Sequence, residues 1–224
     1  MSRFRICRRV MAFAVALVLA ALGFISPHSR AEAQSLFSIP TAESLEKKKV
    51  TVNLEEDTGS RLRSPETLRL TSVRAGLTDR LTVGFDARLS DAFVVQPAFS
   101  LRLTRKDAPL AIKIGYENVG VRSFGQQPYI IGSHAWKNWK KTHLHLGLTH
   151  DQGRNYGMFG IEREVSSGLT LQADYISGSG DFLTVGVAKE LGKNLTLTLG
   201  FIHANSRDDE DGVFLSAEYE FDLP

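Results

Sequence analysis

The 224-residue chain reads as an all-β protein, an antiparallel transmembrane β-barrel of about twelve strands that follows a cleaved signal peptide. Two observations predict this. The first 33 residues have the three parts of an export signal. After residue 48 the sequence alternates apolar and polar residues with period two almost to its end. Composition agrees: 42% hydrophobic and 23% charged residues describe an ordered chain rather than a disordered one. The balance of 27 basic and 25 acidic residues lacks the basic excess of a nucleic-acid binder.

The N-terminus comes first. Arg3, Arg5, Arg8 and Arg9 precede an apolar stretch from Val10 to Ile25, and Ala31-Glu32-Ala33 supplies a small-x-small cleavage pattern. The apolar core is short for a membrane span, which needs about 20 residues. Residues 1–33 are therefore expected to be a signal peptide, leaving 22 basic and 24 acidic residues in the exported chain. The single cysteine, Cys7, precedes the apolar run, so the exported chain carries no thiol and can form no disulfide. Residues 34–48 form a periplasmic N-terminal segment ahead of the barrel at 49–224. Its Leu36, Phe37 and Ile39 suit docking inside the lumen better than hanging free in the periplasm.

Strands are expected near 49–55, 66–77, 81–90, 93–104, 110–118, 127–136, 142–149, 156–165, 169–177, 181–189, 195–202 and 212–221. Leu81, Val83 and Phe85 interleave with Thr82, Gly84 and Asp86; Leu195, Leu197, Leu199 and Phe201 interleave with Thr196, Thr198 and Gly200. Successive side chains point to opposite faces, so each strand has an apolar and a polar face. In 66–77 the apolar phase shifts between Leu70 and Val73, which predicts a bulge near Thr71. In 127–136 the pattern leaves open whether Tyr129 and Ile131 or Ile130 and Trp136 face outward.

Alternation fits a soluble barrel as well as a membrane one. The membrane version is favoured because the outward sets are nearly pure Leu, Ile, Val and Phe. Tyr116, Trp136, Tyr156, Tyr175, Tyr219 and Phe221 sit at strand ends, as interfacial girdles do. Tight turns at 78–80, 166–168 and 190–194 alternate with links at 119–126 and 203–211, as on the two sides of an outer-membrane barrel.

On these segments the chain resembles small bacterial outer-membrane β-barrel proteins: "AGLTDRLTVGF" at 75–85 and a terminal strand "VFLSAEYEF" at 213–221. The opening "SIPTAESL" at 38–45 resembles, more narrowly, the YjbH-like outer-membrane proteins associated with exopolysaccharide export. The resemblance implies an outer-membrane location, a lipid-bilayer surround and insertion by the barrel-assembly machinery. The chain departs from the usual terminal aromatic, since Asp222, Leu223 and Pro224 follow Phe221.

Lumen-lining candidates are Asp86, Arg88, Arg102, Lys113, Glu117, His143, His145, Asp174 and Glu218, joined by inward Glu55, Arg74, Glu162, Glu164 and Glu220. Mixed charges of this kind either fill the interior with ion pairs or line a narrow polar channel. Twelve strands lie between the filled eight-stranded barrels and the open pores of sixteen or more, so strand number leaves both readings open. His143 and His145 share a face, as two metal ligands would, but no third ligand stands at a diagnostic spacing. No cofactor, metal or catalytic site is expected, and no G-x-S-x-G elbow or phosphate loop is present. Asp208, Asp209, Glu210 and Asp211 could attract a divalent cation or simply be a solvated hairpin tip; Lys137, Lys140 and Lys141 with Trp136 and Trp139 could anchor an interface. The expected function is a structural or passive small-solute pore. An accessory barrel of exopolysaccharide export or envelope assembly is the alternative, and a barrel hydrolase is the third reading.

Overall fold

A computed structural model describes residues 35–58, 68–89, 93–117, 127–136, 141–151, 153–178, 182–205 and 211–224. The signal-peptide expectation for 1–33 lies outside these residues, as do Asp208, Asp209, Glu210, Lys137, Trp139, Lys140 and the links at 59–67, 90–92 and 118–126.

The described strands are β1 (Lys49–Thr58), β2 (Leu68–Gly76), β3 (Leu81–Leu89), β4 (Phe93–Arg102), β5 (Leu110–Glu117), β6 (Gln127–Ala135), β7 (Thr142–Asp151), β8 (Arg154–Ser166), β9 (Leu169–Ile176), β10 (Phe182–Leu191), β11 (Leu195–Ala204) and β12 (Gly212–Asp222). Each pairs antiparallel with its sequence neighbour, and β1 pairs with β12 from Lys49↔Asp222 to Thr58↔Val213, which closes the barrel. Closure leaves no unpaired strand edge, the condition for crossing hydrocarbon with strands. A ten-residue strand rises about 33 Å, and at a tilt near 40° it spans about 25 Å, the height of an outer-membrane apolar band.

The apolar faces point out. Leu146, Leu148, Leu54, Leu199, Phe201 and Phe159 are all exposed on the outer surface. Phe99 stacks on Tyr116 of the neighbouring strand, with ring centroids 6.0 Å apart, and Tyr219 tilts against Phe221. In β6, Ile131 is fully buried while Ile130 and Trp136 are exposed. Tyr129 is the inward aromatic; its ring lies over Gly115, its cross-strand partner, where a Cβ would stand 2.2 Å from the phenol carbon.

One local expectation is corrected. β2 pairs without a break against β1 from Leu68 to Ala75 and against β3 from Leu70 to Gly76, so there is no bulge at Thr71. The register shift lies instead in β8, between Glu164 and Ser166, beside the tight turn into β9. Gly168 in that turn has φ +65, and Gly192 in the β10–β11 turn has φ +72, the left-handed conformation that glycine adopts without a Cβ clash.

Candidate functional site: the barrel lumen and the segment inside it

Residues 35–48 run into the barrel. At one rim the Lys48 amide donates to Gly76 O, and the Lys48 carbonyl accepts from the Leu223 amide. At the other end of the segment, Phe37 packs with Phe182, Ile202 and Phe214, edge-to-face on Phe214 at 5.4 Å. Phe182 and Phe214 stand at the strand ends of the opposite rim, so the segment covers most of the barrel's height. Leu36 and Ile39 pack with Ala42 against Ala111, Ile131 and Met158. Leu36, Phe37, Ile39, Thr41, Ala42 and Leu45 are all buried. Ser35 pairs with Pro40 and the Leu36 amide donates to Ile39 O, so the tip is a tight turn.

Glycines make room for this tip. A Cβ on Gly160 would stand 2.5 Å from a Leu36 methyl and 2.6 Å from an Ile39 methyl, and one on Gly200 would stand 2.6 Å from the Phe37 ring. Burial of a Leu, Ile or Phe side chain is worth roughly 1.5–3 kcal/mol each, before the ordering cost of the segment is subtracted.

Polar contacts hold the backbone between these apolar anchors. Asp174 Oδ2 accepts from the amides of Ser38 (2.6 Å) and Ile39 (3.1 Å). Ser133 Oγ accepts from the Ala42 amide at 2.8 Å and lies 2.7 Å from His145 Nδ1. The other ring nitrogen of His145, Nε2, is turned toward Glu162. That nitrogen is 3.8 Å from Glu162 Oε1, beyond hydrogen-bond distance, while His143 Nδ1 is 3.2 Å from the same oxygen. Arg102 Nη1 donates to Glu43 Oε2 at 2.9 Å, and Lys113 Nζ donates to the Glu43 carbonyl at 2.9 Å. At the rim, Glu46 pairs with Lys106.

The lumen candidates expected from the sequence fall into several groups. Arg102, Lys113, His145 and Asp174 are buried around the docked segment, and His143 joins them through Glu162. Asp86 is paired with Arg74 at 2.7 Å. Glu117 ends β5, and Glu218 on β12 is in register with Asn53. Arg88 is on β3 opposite Leu70, and its side chain lies outside the described ones. Glu220 pairs with Lys49 and Glu164 with Lys141, both near the rim that holds the C-terminus. Glu55 is in register with Ser216 on β12. Asp211 meets His203 at 2.8 Å. His143 and His145 flank a carboxylate, yet among the described residues no group of three ligands could hold a metal ion.

Alternation alone missed the inward apolar patch of Ile131, Met158, Phe182, Ile202 and Phe214. Its signal is in the sequence as doubled apolar residues that break strict alternation: Ile130-Ile131, Met158-Phe159, Phe182-Leu183, Phe201-Ile202 and Val213-Phe214. At these places both strand faces are apolar, one toward lipid and one toward Leu36, Phe37 or Ile39.

No protein-family model matches the chain, and no curated protein matches it. Among solved structures it is similar to a KdgM porin, with TM-score 0.60 and 10% identity over 76% of this chain and 99% of that one. It is similar to a KdgM porin in complex with disordered oligogalacturonate, with TM-score 0.55 and 11% identity over 77% and 99%. The toluene transporter TbuX of Ralstonia pickettii follows, with TM-score 0.50 and 11% identity over 81% and 90%. The fold is that of a bacterial outer-membrane β-barrel protein. At such identities the likeness is one of fold.

Proposed function

We propose that the protein is a non-enzymatic outer-membrane barrel whose lumen passes small polar solutes, and that the docked segment narrows the path. The observation that carries this is the division of the interior. Leu36, Phe37 and Ile39 lie on the apolar patch, while the Arg74–Asp86 pair and Glu218 stand on β2, β3 and β12. A lumen lined by charges of both signs suits water and small solutes, and steers ions by its net field. On this reading the chain is exported through residues 1–33 and inserted by the barrel-assembly machinery.

The test is single-channel recording of the purified full chain in a planar bilayer, with heat-shifted mobility on a denaturing gel as the folding control. Discrete steps are expected, larger in a variant lacking residues 35–45. Neutralising Arg88 and Arg102 should shift ion selectivity. Silence from both folded proteins would remove the pore reading.

The hydrolase reading is disfavoured by the arrangement nearest to a nucleophile and base. Ser133 Oγ is buried beneath the segment and already accepts the Ala42 amide. The accessory role in exopolysaccharide export, as in the YjbH-like group, rests on residues 38–45, a stretch that lies wholly within the docked segment. It requires loss of surface polysaccharide on deletion, with a silent barrel.

A further inference from the structure

Arg102 and Lys113 form a cross-strand pair on β4 and β5. Both side chains are buried, Arg102 at 4% and Lys113 at 2% relative exposure. Like charges directly opposite one another in an antiparallel pair repel. Buried cations need a counter-charge and filled hydrogen bonds. The barrel wall supplies part of this, since Arg102 Nη2 donates to the carbonyls of Arg105 and Lys106. The carboxylate on Arg102 comes from the segment: Glu43 places Oε2 on Nη1, and its main-chain carbonyl takes the ammonium of Lys113. Glu117, four residues along the same face of β5, adds a weaker and more distant attraction to Lys113 than Glu43 does. The Arg102 Nε nitrogen is buried and has no partner among the described residues, so the guanidinium keeps an unused donor.

From this geometry we infer that Arg102 and Lys113 are a carboxylate-binding site of the lumen, that Glu43 occupies it as an internal stand-in, and that a solute carrying carboxylates competes with the docked segment. The consequence for permeation rests on the proposed pore; the competition itself does not. The segment is tied at one end to the barrel wall by the chain at Lys48–Lys49, so Glu43 acts at high effective concentration. A single free carboxylate is a poor competitor against it. A small polycarboxylate, able to meet Arg102 and Lys113 together, is the class that the pair favours. Displacement of Glu43 frees both cations toward the lumen and removes the segment's charged anchor at one stroke.

The experiment follows the segment, not the current. Ala42→Cys is placed in a Cys7→Ser background, with Leu45→Cys as an independent reporter. The folded full chain in lipid vesicles is labelled with a polar maleimide. Both positions are buried in the docked state, so labelling is expected to be slow. E43Q should speed it by about tenfold, the effect of losing one charge-assisted hydrogen bond. Citrate should speed it in the Glu43 protein, and should do nothing further in R102Q/K113Q. Sodium chloride at matched ionic strength is the control. Equal acceleration by chloride, or rates indifferent to both E43Q and citrate, would overturn the inference. Labelling that responds in a barrel that never conducts keeps the site and removes the pore. Steps in the bilayer with unresponsive labelling do the opposite.

Discussion

Two pairs of glycines differ in what a side chain would strike. At Gly160 and Gly200 the obstacle is the segment's own Leu36, Ile39 and Phe37 side chains. At Gly84 and Gly186 it is backbone, with a Cβ 2.0 Å from Val73 O and 2.1 Å from Leu199 O. Gly160→Val should therefore leave a heat-resistant folded barrel and loosen the segment, read as faster labelling of Ala42→Cys. Gly84→Val should reduce the yield of heat-shifted folded protein, because strand backbone cannot yield as a side-chain tip can. If both variants folded equally and held the segment equally, the distinction would be wrong. Asp174 also fastens the segment: its carboxylate takes two amides at the tip. Asp174→Ala should weaken docking by about 1.5–3 kcal/mol, the usual worth of hydrogen bonds to a charged group, with the same labelling readout.

At the scale of the element, the segment is a strap with apolar anchors at its tip and ionic ones toward the rim. The rim anchor has a pH dependence. The hydrogen bond from Lys106 holds the Glu46 carboxyl below its ordinary value of 4.5, with the charges of Lys106 and Lys49 acting in the same direction. A carboxylate whose folded value is depressed contributes stability above its unfolded value, and loses it as pH falls through the folded one. The rim end of the segment should thus stay fastened at neutral pH and loosen below 4.5. Maleimide labelling at Leu45→Cys after a brief acid step should rise in the parent protein. It should be already raised, with a flatter pH profile, in Glu46→Gln. An identical profile in both would separate Glu46 from the strap. The tip, held by packing, should respond less.

The whole molecule is set by its outer face. Leu146 is 63% exposed on the outer surface of β7, opposite the exposed Phe159 of β8. In lipid that exposure is burial, so Leu146→Arg should cost about 2–4 kcal/mol if it lies near the bilayer midplane. Denaturant unfolding in lipid vesicles measures this. A neutral result would move Leu146 away from the hydrocarbon. In the lumen the reverse logic holds, since Arg74 and Asp86 already pair there. The polar interior carries the selectivity of any pathway, and the apolar exterior carries the stability of the barrel.

Period-two alternation placed twelve strands within a few residues of their observed ends, because neighbour-to-neighbour antiparallel pairing needs only the pleat and the turn residues between strands. It also assigned Asp86, Arg102, Lys113, His145 and Asp174 to the interior face, since parity along a strand decides the face. Parity failed where it was locally ambiguous. The phase change in β2 passes without a bulge, and the irregular register belongs to β8, a strand that is apolar mainly through Phe159, Ile161 and Val165. The order of residues favoured docking of 35–48 inside the lumen but did not say against which strands. Tertiary structure decided that, and with it which inward charges meet. Glu43 and Arg102 are 59 positions apart, and Ser38 and Asp174 are 136 apart. Such pairs depend on the closed barrel bringing β4, β5 and β9 around one lumen, and no periodicity along the chain encodes them. The strand pattern is a property of successive residues, while the filling of the lumen is a property of closure.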